Sequence, residues 1–259
     1  MTPRAPATYR PGLVTIVIPA KDEEAAIGPT LRSLPRATLR AMGFDVEIII
    51  LDGHSNDRTR DVVYRHGDAT VVFDRQWGKG RALINARSHF RGDYVIMLDA
   101  DGTYAADAIP RVLGPLAWGE VDVVMGHRLP LSGSMSGSHV IGNAMLSVMA
   151  RVLYAQRCPD LCTGLWGFQG SALSALPLRS YRFELEAEMF ALASRQRLRI
   201  AHVPVDYLPR TGAPKLSGRD AARIAWWLLR SRVVPLRYAT TEPERDLPRR
   251  SAARQEARV

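Results

Sequence analysis

The stretch YVIMLDADG, Tyr94 to Gly102, decides the fold. Tyr94–Leu98 is an unbroken apolar run, too short for an ordinary helix and suited to a strand buried on both faces. It stops abruptly at Asp99-Ala100-Asp101. In an open parallel sheet the ligand crevice lies outside the carboxyl ends of the strands, so two acids at this place belong to a crevice.

The same pattern repeats on either side. Leu13–Ile18 is a β-branched run ended by Pro19, and Val46–Leu51 (VEIIIL) stops at Asp52-Gly53. Thr70–Phe73 follows, and Val121–Met125 (VDVVM) stops at Gly126. Helical patterns lie between them at Glu23–Leu34, Asp57–His66, Gly80–Phe90 and Asp107–Leu116. Alternation of strand and helix specifies an α/β fold with a mainly parallel sheet flanked by helices. The polar residues behind the strands, Lys21, Asp22, Glu23, Asp52, Asp99, Asp101, His127 and Arg128, are expected to gather at one edge.

The second half changes character. Val140–Ala155 reads as a long amphipathic helix and Arg157–Gly170 as a loop rich in Gly, Cys and aromatics. Phe183–Arg195 reads as a helix carrying Glu184, Glu186 and Glu188. Leu198–Tyr207 reads as a strand, Pro209–Pro214 as a turn-rich loop and Ser217–Val233 as a last helix. No repeat or linker divides the chain. The expected organisation is an N-terminal arm over 1–12, a single domain over 13–238 and a disordered basic tail over 239–259.

Composition narrows the class. The 259 residues are 46% hydrophobic and 24% charged, a globular composition. Lys plus Arg number 35 and Asp plus Glu 26, a net charge of +9. That excess suits nucleic acid, an anionic membrane surface or a phosphate-bearing substrate. No zinc-finger spacing or aromatic RNA-binding signature is present, so nucleic acid is not expected. No apolar stretch approaches the roughly 20 residues of a membrane-spanning helix, and the N-terminus lacks a signal-peptide core. Two cysteines, Cys158 and Cys162, exclude a disulfide framework and read as packing residues. A cytoplasmic protein is expected, peripheral on the inner face of the membrane if it binds one.

Three motifs carry chemistry. Asp99-x-Asp101 can hold a hard divalent cation through oxygen ligands; the plainer reading is a loop of two solvated acids or a helix cap. Asp52 can accept hydrogen bonds from a base or ribose, while Ser55, Asn56 or Asp57 caps the next helix. Gly78-Lys79-Gly80 opens a helix and suits a diphosphate neighbour, or is a simple turn. Arg128, Arg210 and Lys215 suit phosphate oxygens or plain surface solvation. No Walker A motif, G-x-S-x-G elbow or H-x-x-x-H pair is present.

Taken in order, Pro19-Ala20-Lys21-Asp22-Glu23, LDGHSNDRT from Leu51, Gly78-Lys79-Gly80, LDADGTY from Leu98, Gly126-His127-Arg128 and PRTGAPKLS from Pro209 resemble the family-2 inverting glycosyltransferases of GT-A fold. Within them the chain is most similar to the dolichol- or polyprenyl-phosphate mannosyl- and glucosyltransferases. The resemblance covers about Leu13 to Arg232. It implies donor-binding roles for Pro19, Lys21, Glu23, Lys79 and Ala100, and contact of Asp52 with the nucleotide base. It implies that Asp99 and Asp101 hold Mg²⁺ or Mn²⁺ against the donor diphosphate. Asp101, Arg128, Arg210 and Lys215 are the implied catalytic set, the basic three holding phosphates of donor and acceptor. Thr103 stands where many mannosyltransferases carry a third ligand, Gln, and the family's Asp-x-x-x-Gly-Phe-Arg loop is altered over Asp160–Phe168.

The activity implied is transfer of a hexose from a GDP- or UDP-linked sugar to a polyprenyl phosphate at a membrane surface, with room for a membrane-protein partner. An acceptor phosphate with a second pKa of about 6 needs no strong catalytic base. Transfer to a hydroxyl of a soluble metabolite would need one, with Asp160 and Glu186 as candidates. The same acids and bases would also suit a sugar-nucleotide-binding protein without turnover, or a nucleotidyltransferase. Ser217–Val233, with Trp226 and Trp227 beside several arginines, reads either as an interfacial anchor or as a helix packed on the core.

Overall fold

The computed structural model describes residues 12–73, 78–130, 137–210 and 218–234. Lys215, the tail over 239–259 and all of the N-terminal arm but Gly12 lie outside them.

The strands are β1 (Leu13–Ala20), β2 (Asp45–Asp52), β3 (Thr70–Phe73), β4 (Tyr94–Met97), β5 (Val123–Pro130), β6 (Trp166–Gln169) and β7 (Ile200–Tyr207). They form one sheet in the order β3-β2-β1-β4-β6-β5-β7. Pairing is parallel throughout except at β6, which runs antiparallel to both β4 and β5. The helices are α1 (Glu24–Ser33), α2 (Arg36–Ala41), α3 (Thr59–His66), α4 (Lys79–Ala86), α5 (Ile109–Ala117), α6 (Gly137–Tyr154), α7 (Gly170–Ala175), α8 (Leu185–Arg195) and α9 (Gly218–Val233).

Successive residues of a strand point to opposite faces. Ile16, Ile18, Ile48, Ile50 and Ile96 therefore pack with Ile27, Leu31 and Leu113 in one buried layer. Val17, Ile49, Leu51, Val95 and Met97 pack with Leu83, Phe190 and Leu228 in the other. With apolar side chains on both faces, the central strands are sandwiched between helices, as their continuous hydrophobic runs require.

Two expectations are corrected. The stretch 157–170 is not all loop, because Trp166–Gln169 is a central strand. Trp166 and Phe168 stack on one face, with ring centroids 5.7 Å apart. Gly167 faces the other way, where an added Cβ would lie 2.7 Å from Val112 Cγ1. The glycine that reads as a loop residue is what lets α5 lie close over β6. The fifth strand also runs on past Gly126 to Pro130, which carries Arg128 within the strand.

The sheet positions the site. Val17 pairs with Met97, and Ala20 with Asp52. Met97 and Met125 both pair with Trp166, so β4 and β5 point the same way on either side of β6. Asp99, two residues past Met97, and Arg128, three past Met125, thus leave the sheet at one edge. Tyr207, at the end of β7, pairs with Pro130 and delivers Arg210 to the same edge.

Candidate active site

The acids at the end of β4 are each met by a base from a distant segment. Lys79 Nζ lies 2.6 Å from Asp99 Oδ1 and 2.6 Å from Glu186 Oε1, bridging β4 and α8. Arg210 Nη2 lies 2.5 Å from Asp101 Oδ2. The other oxygen of Asp101 accepts hydrogen bonds from the backbone N–H and hydroxyl of Thr103, at 3.0 and 2.6 Å. Thr103 thus orients the acid.

Burial pushes the Asp99 carboxyl up, but the charge of Lys79, its hydrogen bond, and then Arg210 and Arg128 outweigh it and hold the group below the usual range. Glu186 has the opposite balance: burial dominates over Lys79, and its carboxyl is raised above 4.5. Lys79 is held charged, because Asp99 and Glu186 together outweigh the cost of its burial. Gly164 is pressed against Asp99, where an added Cβ would lie 1.8 Å from Oδ2. Only a residue without a side chain leaves that carboxylate oxygen its room.

Arg128 forms the second buried cluster. Its Nε and Nη2 donate to the two oxygens of Asp160, each at 2.7 Å, and its backbone N–H donates to the same carboxylate at 3.0 Å. Asn143 Nδ2 adds a fourth bond to Asp160 at 2.9 Å, and Asn143 Oδ1 accepts from the N–H of Cys162 at 3.0 Å. The guanidinium lies over the ring of Tyr207, 5.1 Å from its centroid. Tyr104 packs edge-on against Tyr207 and accepts a hydrogen bond from Gly164 N–H at 2.5 Å.

The remaining donor-side residues stand toward the β2 side. Asp52 is fully buried at the end of β2, two strand positions from β4. Its carboxylate accepts weakly from Ser55 N–H at 3.4 Å and pairs with Arg60 Nε at 3.7 Å. Lys21 Nζ donates to the carbonyl of His54 at 2.9 Å. Asp22 and His54 have φ of 50° and 61°, in the left-handed region that Asp and His enter more readily than most residues. Glu23 is buried, and its N–H donates to Thr59 Oγ1 at 2.8 Å. Pro19 is half-buried at the end of β1. Ala100 is buried, and its carbonyl accepts from Thr30 at 3.2 Å.

The structure therefore brings Lys79, Asp99, Asp101, Arg128 and Arg210 together, and places Pro19, Lys21, Glu23 and Asp52 farther along the same edge. Nothing local in the sequence marks Tyr104, Asn143 or Gly164, and Glu186 and Asp160 stand out there only as candidate bases. One signal does point to Glu186: it and Glu188 sit in the mostly apolar run 185–193, and a buried acid needs a partner. Cys158 and Cys162 are free thiols, each pushed up to about 12 by burial, in keeping with a packing role. Among the described residues no group of three His, Cys, Asp or Glu side chains surrounds one point.

A doubly flanked, mainly parallel sheet with acids and bases converging at the carboxyl ends of its strands defines an open α/β protein with a polar ligand crevice at that edge. The model of the family "Glycosyl transferase family 2" matches residues 15–175, and the chain belongs to that family. It is 31% identical over 207 residues to a low-salt glycan biosynthesis hexosyltransferase of Haloferax volcanii, covering 78% of this chain and 49% of that one. It thus spans about half the length of that relative. It is 36% identical over 122 residues to an undecaprenyl-phosphate 4-deoxy-4-formamido-L-arabinose transferase of Pseudomonas paraeruginosa, covering 45% of this chain and 35% of that one. The GT-A fold is shared with glucosyl-3-phosphoglycerate synthase of Mycobacterium tuberculosis, solved with Mn²⁺, UDP-glucose and phosphoglyceric acid. The TM-score is 0.69 at 23% identity, over 86% of this chain and 81% of that one.

Proposed function

We propose that the chain transfers a hexose, with inversion, from a GDP- or UDP-linked sugar to the phosphate of a polyprenyl phosphate at a membrane surface. The observation that carries this is the convergence of Asp99 and Asp101 with Lys79, Arg210 and Arg128 at one end of the sheet. Two acids backed by three cations suit a diphosphate donor and a second phosphate in one crevice.

The acid pair fits a hard divalent cation. Both side chains offer only oxygen, and Gly164 lets the Asp99 carboxylate sit where any larger residue would displace it. The solved neighbour bound to Mn²⁺ and UDP-glucose supports the same assignment. When bound, Mg²⁺ or Mn²⁺ held by Asp99 and Asp101 neutralises charge on the leaving diphosphate. Lys79 and Arg210, now paired with these acids, are the side chains nearest to the phosphates that would join them. Thr103 keeps Asp101 in position. Asp52 meets the nucleotide base, with Pro19, Lys21, Glu23 and Ala100 shaping the floor of the donor site. Lys215, which lies outside the described residues, is proposed as a further phosphate contact.

The acceptor side favours a phosphate nucleophile. Asp160 is saturated by four hydrogen bonds from Arg128 and Asn143 and has no free face with which to take a proton from an alcohol. A phosphate monoester arrives already ionised at neutral pH, with a second pKa of about 6, so positioning and electrostatics suffice. The raised Glu186 carboxyl favours a second reading, in which a soluble hydroxyl acceptor gives its proton to Glu186.

Purified protein with Mn²⁺ and a panel of sugar nucleotides tests both. Release of nucleoside diphosphate with a short-chain polyprenyl phosphate, and its absence with 3-phosphoglycerate or glycerol, is the expected result. The reverse preference establishes the hydroxyl reading. Release of sugar 1-phosphate in place of nucleoside diphosphate would replace both with nucleotidyl transfer.

A further inference from the structure

Helices α6 and α9 lie against each other. The Tyr154 hydroxyl donates to the carbonyl of Leu228 at 2.8 Å, and Arg232 Nε to that of Leu153 at 3.0 Å. Each helix buries one face, Leu146 and Ala150 on α6 and Ile224 and Leu228 on α9. The opposite faces are apolar too. On α6, Ile141, Met145, Val148 and Val152 are 49–73% exposed at spacings of four, three and four, a stripe about 16 Å long. On α9, Trp226, Leu229 and Val233 are 50–78% exposed at spacings of three and four. Stripes this large on neighbouring helices mark an interaction surface.

The charge beside the stripes selects the occupant. Helix α6 has no acidic residue, and α9 carries Arg219, Arg223, Arg230 and Arg232 against a single Asp220. A second copy would set these arginines against its own. Anionic lipid headgroups complement them. Arg230 lies over Trp226, 5.1 Å from the ring centroid, with Trp227 at 6.0 Å, so charge and indole sit together as at a bilayer interface. No helix among the described residues is long and apolar enough to cross a membrane.

We propose that α6 and α9 together form a docking face that lies in the plane of an anionic bilayer, both apolar stripes sunk among the headgroups. Resting on the lipid-phosphate reading of the site, the proposal also explains how that acceptor arrives. Asn143, on the inward side of α6, holds Asp160 and through it Arg128. One helix thus touches the membrane with one face and braces the phosphate-binding arginine with the other.

Co-sedimentation of the full chain with phosphatidylcholine vesicles, and with vesicles of equal parts phosphatidylcholine and phosphatidylglycerol, tests this. Binding to the anionic vesicles, weakened by salt, is the expected result. Ile141→Ser with Met145→Ser and Val152→Ser, and separately Trp226→Ser with Leu229→Ser, should each lower partitioning about ten-fold at an unchanged melting temperature. Arg223→Gln with Arg230→Gln should remove the preference for phosphatidylglycerol. Wild-type protein that ignores both vesicles, or binds regardless of these changes, overturns the proposal. So does a dimer, seen by light scattering, that the same substitutions dissolve. Sugar transfer to a short-chain, water-soluble polyprenyl phosphate separates the two readings. Variants that lose vesicle binding but keep this transfer support the docking face. Vesicle binding without transfer to any lipid phosphate would leave the docking face standing and overturn the proposed function.

Discussion

At the β1–β2 end of the active edge, loops are tied by hydrogen bonds that reach only to the neighbouring loop and stand partly in water. Lys21 holds the carbonyl of His54, Asp22 accepts from Asn56 N–H, and Glu24 pairs with an exposed Arg58. At the β4–β5 end, the ties are ion pairs largely withdrawn from water: Lys79 to Glu186, Arg128 to Asp160 and Asp101 to Arg210. On the proposed function, the first end has only to present a side chain to a nucleoside and needs little bracing. A place that must hold like-charged phosphates together needs fixed, desolvated counter-charge, and that is built from paired groups which each cost much to bury.

The contrast can be tested by removing one group at a time. On the proposed function, Asp101→Ala should lower the rate of nucleoside diphosphate release at least about a thousand-fold, because it strips an acid from the cluster proposed to hold the diphosphate. Arg128→Gln leaves Asp160 buried with an uncompensated charge and should cost about 3–5 kcal/mol in a urea melt. Glu186→Gln should act through pH. The folded protein keeps the Glu186 proton to higher pH than the unfolded chain does, so this group makes stability fall as pH rises from 4.5 through its folded value. The melting temperature of the variant, followed over that window, should lack this fall. Asp99 has the opposite sign, since its contribution is complete above 3.8 and is lost as pH drops through its lowered value. Smallest is Arg58→Ala, whose exposed pair with Glu24 should give a melt that overlays the wild type. An Arg58 variant that melts as early as the Arg128 variant would erase the contrast.

What is readable in the sequence follows the same division. The strands from Leu13, Val46, Thr70 and Tyr94 announce themselves, because β-branched runs and the acids behind them are local signals. Their crevice edge can be placed from strand ends alone. The strand Trp166–Gln169 cannot. Its glycine serves the packing of α5, a contact made with residues some fifty positions earlier, and nothing local distinguishes it from a loop glycine. The pairing of Lys79 with Glu186 spans 107 residues, and that of Arg128 with Asp160 depends on β5 and the loop before β6 meeting side by side. Gly78-Lys79-Gly80 reads as a helix start, and it is one, yet the direction in which Lys79 points is set by α8, and no sequence window contains both.

The antiparallel strand β6 has a consequence for how the molecule comes into being. It fills the gap between β4 and β5, so until Gln169 has been synthesised the first four strands end in an open border at β4, with backbone amides awaiting a mate. Fragments that stop short of it should be sticky, because such a border recruits strands from other chains. The insertion that seals the sheet is also the one that brings Asp99 and Arg128 to their final separation. The cluster of acids and bases is thus complete only when β6, and after it α8 with Glu186 and β7 with Arg210 behind it, are in place.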